Sequence, residues 1–284
     1  MIRIITDSAC DLPQDMIEQY QIRVLPMNIT FGEETFRDQL ELSTSEFYQR
    51  LTKEGEPHPS TAYPSLGLLK LALEEELAAG NEIILITLAD ALSGYYHAAE
   101  VLLQDYPEAN IALFDSKSAT LGQGIIVLAA ARLVAAGKSY AEVVAAMPEL
   151  IARSRGYGVI NNLDYLKRGG RISSATAFVA GALNIKPVIN INEDGSLTMV
   201  QKVRGMQKAL QWLRQRLKED GKDFTKVPFF IGYIIQKDTA EQFLTMLQQE
   251  FQLDEVHICE IGPTVGTHLG PGCVALFYLK PEEA

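Results

Sequence analysis

The sequence predicts an α/β protein made of two α/β domains, the first with a mainly parallel sheet flanked by helices, the second with a mixed sheet and helices. Three observations carry this. Through the first half, short runs rich in β-branched residues alternate with helical stretches, the order that parallel strands joined by crossover helices require. In the second half, hairpin links such as Asp194-Gly195 enter the pattern, so antiparallel pairs mix with crossovers. A length of 284 residues suits two domains of ordinary size, and 47% hydrophobic residues supply a core for each. The boundary is expected near residue 155, dividing the chain into 1–155 and 156–284.

Ile2–Thr6 is a short β-rich run ending at Asp7-Ser8, and Pro13–Tyr20 reads as a helix with proline in its first turn. Val24–Phe31 is extended, and Gly32-Glu33 turns it into a hairpin that returns through Thr35–Arg37. Ser43 or Thr44 caps a helix through Leu51. After the proline-punctuated Gly55–Pro59, Ser60-Thr61-Ala62 is a short strand or extended loop. Ser65 caps a helix to Ala79, stopped by Gly80-Asn81. Glu82–Leu88 is a continuous apolar run, the mark of a strand buried on both faces. A helix to about Tyr106 follows Asp90–Gly94; Ile111–Phe114 repeats the strand, with helices over Ala119–Ala136 and Ser139–Ser154 behind it.

Tyr157–Ile160 opens the second half as a strand. Asn161–Pro187 then contributes one short helix and one longer one, with Ser173 and Ser174 as caps and small residues along Ala175–Leu183. Val188–Asn192 and Thr198–Val203 flank the hairpin turn. A helix over Met206–Lys218, a strand at Pro228–Ile235, a helix at Thr239–Gln252 and strands at Glu255–Glu260 and Cys273–Leu279 complete the chain.

A net charge of −11 argues against nucleic acid as a general partner. The charge is uneven: Leu166–Arg216 holds nine cations against two acids, +7, which leaves −18 for the remainder. One face of the second half is therefore a candidate for an anionic ligand or an acidic partner. The longest apolar run, Ile125–Ala136, falls far short of the ~20 residues of a membrane span and contains Arg132. Met1–Thr6 leads directly into a strand, not a secretory leader, so a cytoplasmic location is expected. Cys10, Cys259 and Cys273 form no CxxC pair and read as reduced thiols. His257 and Cys259 lie two apart, but no second close pair completes a metal site, and none is expected.

Ligands of an open α/β sheet bind beyond the carboxyl ends of its strands, where Thr6–Cys10, Thr87–Gly94 and Asp115–Ser118 fall. Asp7-Ser8 and Asp115-Ser116 admit a phosphorylated or metal-binding aspartate and also plain capping, the simpler reading. No GxxxxGK(S/T) loop occurs, and Gly122-Gln123-Gly124 lacks the third glycine of a dinucleotide fingerprint, so no nucleotide site is recognisable. Leu92-Ser93-Gly94 opens a helix after a buried strand, but Ala91 stands where a nucleophile elbow has its first glycine. Lys167-Arg168-Gly169-Gly170-Arg171 sets three cations around two glycines at a helix start, a setting that suits an anion. The sharpest local signal is Ile261–Gly272, where four glycines and two prolines surround His268.

Three segments together resemble the DegV family: Ile5-Thr6-Asp7-Ser8 with Asp11-Leu12-Pro13, Leu163–Pro187, and Ile261–Gly272. Pro59–Thr61, Leu92–Gly94, Asp115–Lys117 and Lys202–Gly205 fall at matching places, so the likeness spans nearly the whole chain. That family includes the fatty-acid-binding subunits of bacterial fatty acid kinase. The resemblance implies a fatty acid between the two domains, its carboxylate held by Thr61, Ser93 and His268 with Gly94 and Thr267 beside them. It also implies a separate ATP-binding kinase subunit that converts the carboxylate to an acyl-phosphate, transient contact with acyltransferase machinery at the membrane, and a product that feeds phospholipid synthesis. Arg171 would help dock the kinase and Arg204 would position the phosphoryl group. No metal and no covalently bound cofactor are implied. Gln39 stands where the family's usual Asp-Gly pair has glycine, which leaves the role of Asp38 open. Tyr63 replaces a common glutamine at what would be the pocket rim.

Two other classes remain: a stand-alone phosphotransferase or hydrolase using Asp7, Ser93 or His268, and a regulatory or structural protein with an incidental pocket.

Overall fold

The computed structural model describes residues 1–172, 184–221, 224, 225 and 227–281, and gathers their strands into three sheets. The first is wholly parallel, with β1 (Ile2–Asp7), β2 (Arg23–Leu25), β6 (Glu82–Thr87) and β7 (Ile111–Asp115) in the order β2-β1-β6-β7. Its apolar strands alternate between two cores, as a period of two dictates. Ile83 and Leu85 face α3 (Leu66–Ala78) and α4 (Tyr95–Leu103), while Ile84 and Ile86 face α5 (Leu121–Ala135). Helices thus cover both faces, the condition under which a parallel strand reads as a continuous apolar run.

The expected extended run at residues 24–31 is broken at Pro26-Met27 into β2 and β3 (Asn28–Phe31). β3 pairs antiparallel with β4 (Glu34–Arg37) across the turn at Gly32, and on its other edge with β5 (Ser60–Ala62), where Ile29 is the register partner of Thr61. Two other short helices lie here: α1 (Gln14–Gln19) behind Pro13, and α2 (Thr44–Leu51). Ser43 and Glu46 form a capping box at the start of α2.

The third sheet is mixed. β8 (Ser154–Val159), β9 (Ile185–Ile191), β10 (Leu197–Arg204), β11 (Phe229–Tyr233), β12 (Val256–Glu260) and β13 (Val274–Leu279) lie in the order β10-β9-β8-β13-β11-β12, and only β11–β12 is parallel. Its outer helices are α8 (Met206–Asp220) and α9 (Lys237–Gln248), which present Leu210, Leu213, Phe243 and Leu247 to the core. α6 (Tyr140–Arg153) runs into β8 without a loop, so residue 155 lies inside a strand.

The buried helix α5 joins the two large sheets, packing on β1 from one side and on β8, β11 and β13 from the other. The Gly-Gln-Gly in its first turn serves that contact. A Cβ at Gly124 would come within 2.5 Å of Cys10 O, and one at Gly122 within 3.1 Å of the Phe277 ring. Two further helices flank the site: α7 (Asp164–Arg168) and α10 (Pro263–Leu269). The expectation of a Gly/Pro loop at Ile261–Gly272 is corrected, since its middle is helical. Pro263 takes the first helical position, where its missing N–H costs nothing. The longer helix expected after Gly170, with its caps Ser173 and Ser174, lies outside the described residues.

Candidate functional site

A cavity of about 280 Å³ lies along the seam between the mixed sheet and the loops of the parallel sheet. Its floor is the inner face of the mixed sheet, where Gly156, Gly158 and Ala275 leave room beneath Ile189, Ile191 and Phe277. Met27, Leu88, Leu92, Ala119, Val265 and Leu269 close it from the other sides. One end is polar and holds Thr61, Ser93, Arg171 and His268.

Each of these polar groups arrives on a different element. Thr61 projects from β5, and its Oγ1 lies 3.0 Å from His268 Nε2 on α10. Ser93 follows β6, in a tight turn closed by its N–H on Ala89 O at 3.0 Å, with Gly94 heading α4 beside it. Its hydroxyl has no hydrogen-bond partner among the described residues. Arg171 stands just beyond α7, where Nε donates to Leu92 O at 3.1 Å and Nη1 to Gly169 O. The guanidinium is thereby tied to the loop that carries Ser93, with further N–H donors left for a ligand.

His268 is the electrostatic centre of this end. Burial first, then the Arg171 charge and His58, push its pKa down to about 4, so it is neutral at pH 7. Its Nδ1 is buried without a partner and packs on Gly169, where a Cβ would overlap the ring. A proton on Nδ1 would be a stranded donor, so it belongs on Nε2, which then donates to Thr61 Oγ1. The Thr61 hydroxyl is left free to donate into the cavity. The glycine of Lys167–Arg171 and the histidine of the last loop are thus two halves of one contact.

The cavity brings together Thr61, Ser93, Gly94, His268 and Arg171. It does not include Thr267, whose hydroxyl donates to Pro263 O at 2.9 Å inside α10 and whose side chain is 1% exposed. Nor does it include Arg204, which is exposed at the end of β10. Arg171 is thus at the cavity, while Arg204 is not among the residues that line it. The reason is local, because Arg171 is folded inward by two backbone carbonyls.

Asp7 and Asp115 are capping residues. Asp7 accepts Ala9 N at 3.1 Å and Leu88 N at 2.8 Å, while Asp115 accepts Lys117 N at 2.8 Å and Asp90 N at 3.1 Å. Both thereby steady the loop after β6 that leads to Ser93. Among the described residues, no group of three or more His, Cys, Asp or Glu side chains is placed to hold a metal ion, and Cys10, Cys259 and Cys273 are free thiols. No helix among the described residues is long and apolar enough to cross a membrane.

Sequence reasoning missed a set of buried groups that dock α10 onto the first half of the chain. Tyr48 donates to Ile261 O at 2.6 Å, Thr120 donates to Asp11 Oδ2 at 2.6 Å, and Asp38 Oδ2 accepts from both Ser8 and Thr264. Burial raises all three acids: Asp7 and Asp38 to about 6, and Asp11 well above the usual carboxylate range. Gln39 keeps the left-handed backbone, φ 61°, that glycine adopts without strain, which explains why a glycine is usual after the acid.

Comparison with known proteins agrees with this architecture. The family model described as "Uncharacterised protein, DegV family" matches residues 1–281. A DegV domain-containing protein of Caldanaerobacter subterraneus subsp. tengcongensis is 35% identical over 278 residues, covering 98% of each chain. Among solved structures, a DegV family protein from Thermus thermophilus, described by its fatty acid binding, superposes with a TM-score of 0.90 at 28% identity over 99% of each chain. DegV of Bacillus subtilis, described as a fatty acid binding protein, gives 0.85 at 30% identity over 99% of each chain. With a polar-ended cavity set between two sheets and a likeness that runs from end to end, this chain belongs to the DegV family.

Proposed function

We propose that this protein binds a long-chain fatty acid, with its tail in the apolar seam and its carboxylate at the Thr61–Ser93–His268 end. A separate ATP-dependent kinase subunit then converts the carboxylate to an acyl-phosphate for phospholipid synthesis. The observation that carries the reading is the cavity itself, lined mainly by apolar side chains with Thr61, Ser93, Arg171 and His268 gathered in its wall. A buried carboxylate needs several converging donors, and the hydroxyls of Thr61 and Ser93 with the Arg171 guanidinium supply them. Each methylene withdrawn from water contributes roughly 0.8 kcal/mol, so affinity comes from the tail and orientation from the head group.

Chemistry at the head group needs little from this chain beyond placement and charge. A carboxylate oxygen attacks the γ-phosphorus of the ATP carried by the partner, the bond from that phosphorus to the β–γ bridging oxygen breaks, ADP leaves, and negative charge spreads over the phosphoryl oxygens in passage. Arg204 is the residue proposed to position the transferred phosphoryl group and stabilise that charge. Arg171, tied to the loop that carries Ser93, helps dock the kinase subunit. The solved relatives described as fatty acid binding support the ligand class. The test is to load the delipidated protein with hexadecanoic acid, add ATP and a fatty acid kinase catalytic subunit, and trap the acyl-phosphate as its hydroxamate. Compared at equal lipid occupancy, Arg171→Ala should lose product; acyl-phosphate formed as fast by Arg171→Ala as by wild type would refute this assignment.

A further inference from the structure

Asp38 lines no part of the cavity, yet its hydrogen bonds reach α10, which carries His268, and the residue that leads into β3, the neighbour of the strand that carries Thr61. Toward the histidine, Oδ2 accepts Thr264 Oγ1 at 2.6 Å. Thr264 stands four residues before His268 on α10, hence on the same face of the helix. Toward the threonine, Asp38 N donates to Met27 O at 2.8 Å. The same Oδ2 accepts Ser8 Oγ at 2.7 Å, and that hydroxyl oxygen accepts Met27 N at 3.0 Å. Met27 leads into β3, whose Ile29 is paired with Thr61.

Asp38 is 1% exposed, and its ionised form is costly there, since burial pushes its pKa up to about 6. An apolar residue would fill the same space without that cost, but it would tie neither element to the other. Thr264 and Met27 also wall the cavity, so any slackening of the network moves the wall and the Thr61–His268 pair together.

We propose that Asp38 is a positioning residue for the carboxylate end of the site, holding α10 against β3 and β5 so that His268 meets Thr61. This rests on reading Thr61, held by His268, as a ligand of the carboxylate. The test compares the affinity of the delipidated protein for hexadecanoic acid and for 1-hexadecanol, which shares the tail and lacks the carboxylate. It also follows the His268 imidazole by NMR, in a chain with only four histidines.

Asp38→Ala and Thr264→Val should each weaken acid binding about tenfold, the worth of one hydrogen bond to a charged group. The alcohol should change less than about twofold, and the His268 signals should shift. Asp38→Asn keeps an oxygen that accepts from Ser8 and Thr264, so it should restore acid affinity to within about threefold of wild type. If Asp38→Ala does not fold, Thr264→Val and Asp38→Asn decide. Acid affinity unchanged in Thr264→Val, or acid and alcohol weakened alike, overturns the proposal. If Thr61→Ala and His268→Ala also leave acid binding intact, the reading of the site falls as well; if they weaken it, only the role of Asp38 falls.

Discussion

Gly169→Ala isolates the packing on which the polar end depends. Gly169 has φ −75° and ψ −13°, a helical conformation that alanine adopts without strain and that favours alanine over glycine. The local backbone therefore loses nothing. The new methyl group, however, would overlap His268 Nδ1 and come within 2.9 Å of Cε1, where ordinary contacts begin near 3.4 Å. The imidazole has to move by about an ångström or tilt off its rotamer, at about 1–3 kcal/mol of overpacking. That displacement breaks the 3.0 Å contact with Thr61. Losing a hydrogen bond in the chain that ends on a carboxylate costs about 1.5–3 kcal/mol, a roughly 10- to 100-fold weaker Kd for a fatty acid. Fluorescence displacement with a labelled fatty acid measures it.

Gly170→Ala is the matched control. There φ is +72° and no atom of the described residues lies within 4 Å of the added carbon, so it should lower stability by about 1 kcal/mol and leave affinity unchanged. Equal affinity of Gly169→Ala and wild type, with unshifted His268 resonances, would refute the argument.

Asp38→Asn should be about 2 kcal/mol more favourable to stability, relative to wild type, at pH 7.5 than at pH 4.5. The folded-state pKa of about 6 exceeds the ordinary 3.8, so the folded state holds the proton more tightly. Wild type accordingly bears the cost of the buried charge above pH 6 and sheds it as pH falls toward 4, while asparagine does not titrate. Urea unfolding at both pH values checks this, and a pH-independent difference contradicts it. Gly158→Val adds bulk to the cavity floor, where the first carbon meets Ile189 at an ordinary 3.4 Å. Lipid extracted from this variant should be enriched in shorter acyl chains, while the carboxylate end stays intact; an unaltered chain-length profile counts against the floor as tail site.

The elements that positioned the site were legible where one physical signal dominated. Glu82–Leu88 had to be a doubly buried strand, and a cap at Ser43 or Thr44 announced α2. What was misread is α10, because Gly262, Gly266, Gly270 and two prolines resemble a loop. Those glycines are demanded instead by close neighbours: a Cβ at Gly266 would meet Tyr48 Cζ at 2.9 Å, and one at Gly270 would meet Tyr165 Cε2 at 2.6 Å. Tertiary crowding of that kind leaves no local pattern in a sequence. The same holds for Thr61 and His268, which lie 207 positions apart and are joined by no periodicity. Family likeness supplied that pair, but not the inward course of the Arg171 side chain. That depended on two backbone carbonyls, Leu92 O and Gly169 O, that fold Arg171 inward. Asp38 was harder still, because its three partners come from the first turn, the break before β3 and the last helix.

The central claim is tested most directly by native mass spectrometry of the gently purified full-length protein. The account predicts an added mass equal to one long-chain fatty acid, lost on delipidation, regained on adding hexadecanoic acid, and regained poorly by a Thr61→Ala, Ser93→Ala, His268→Ala triple variant. Protein that remains ligand-free through gentle purification and takes up no added fatty acid would contradict it.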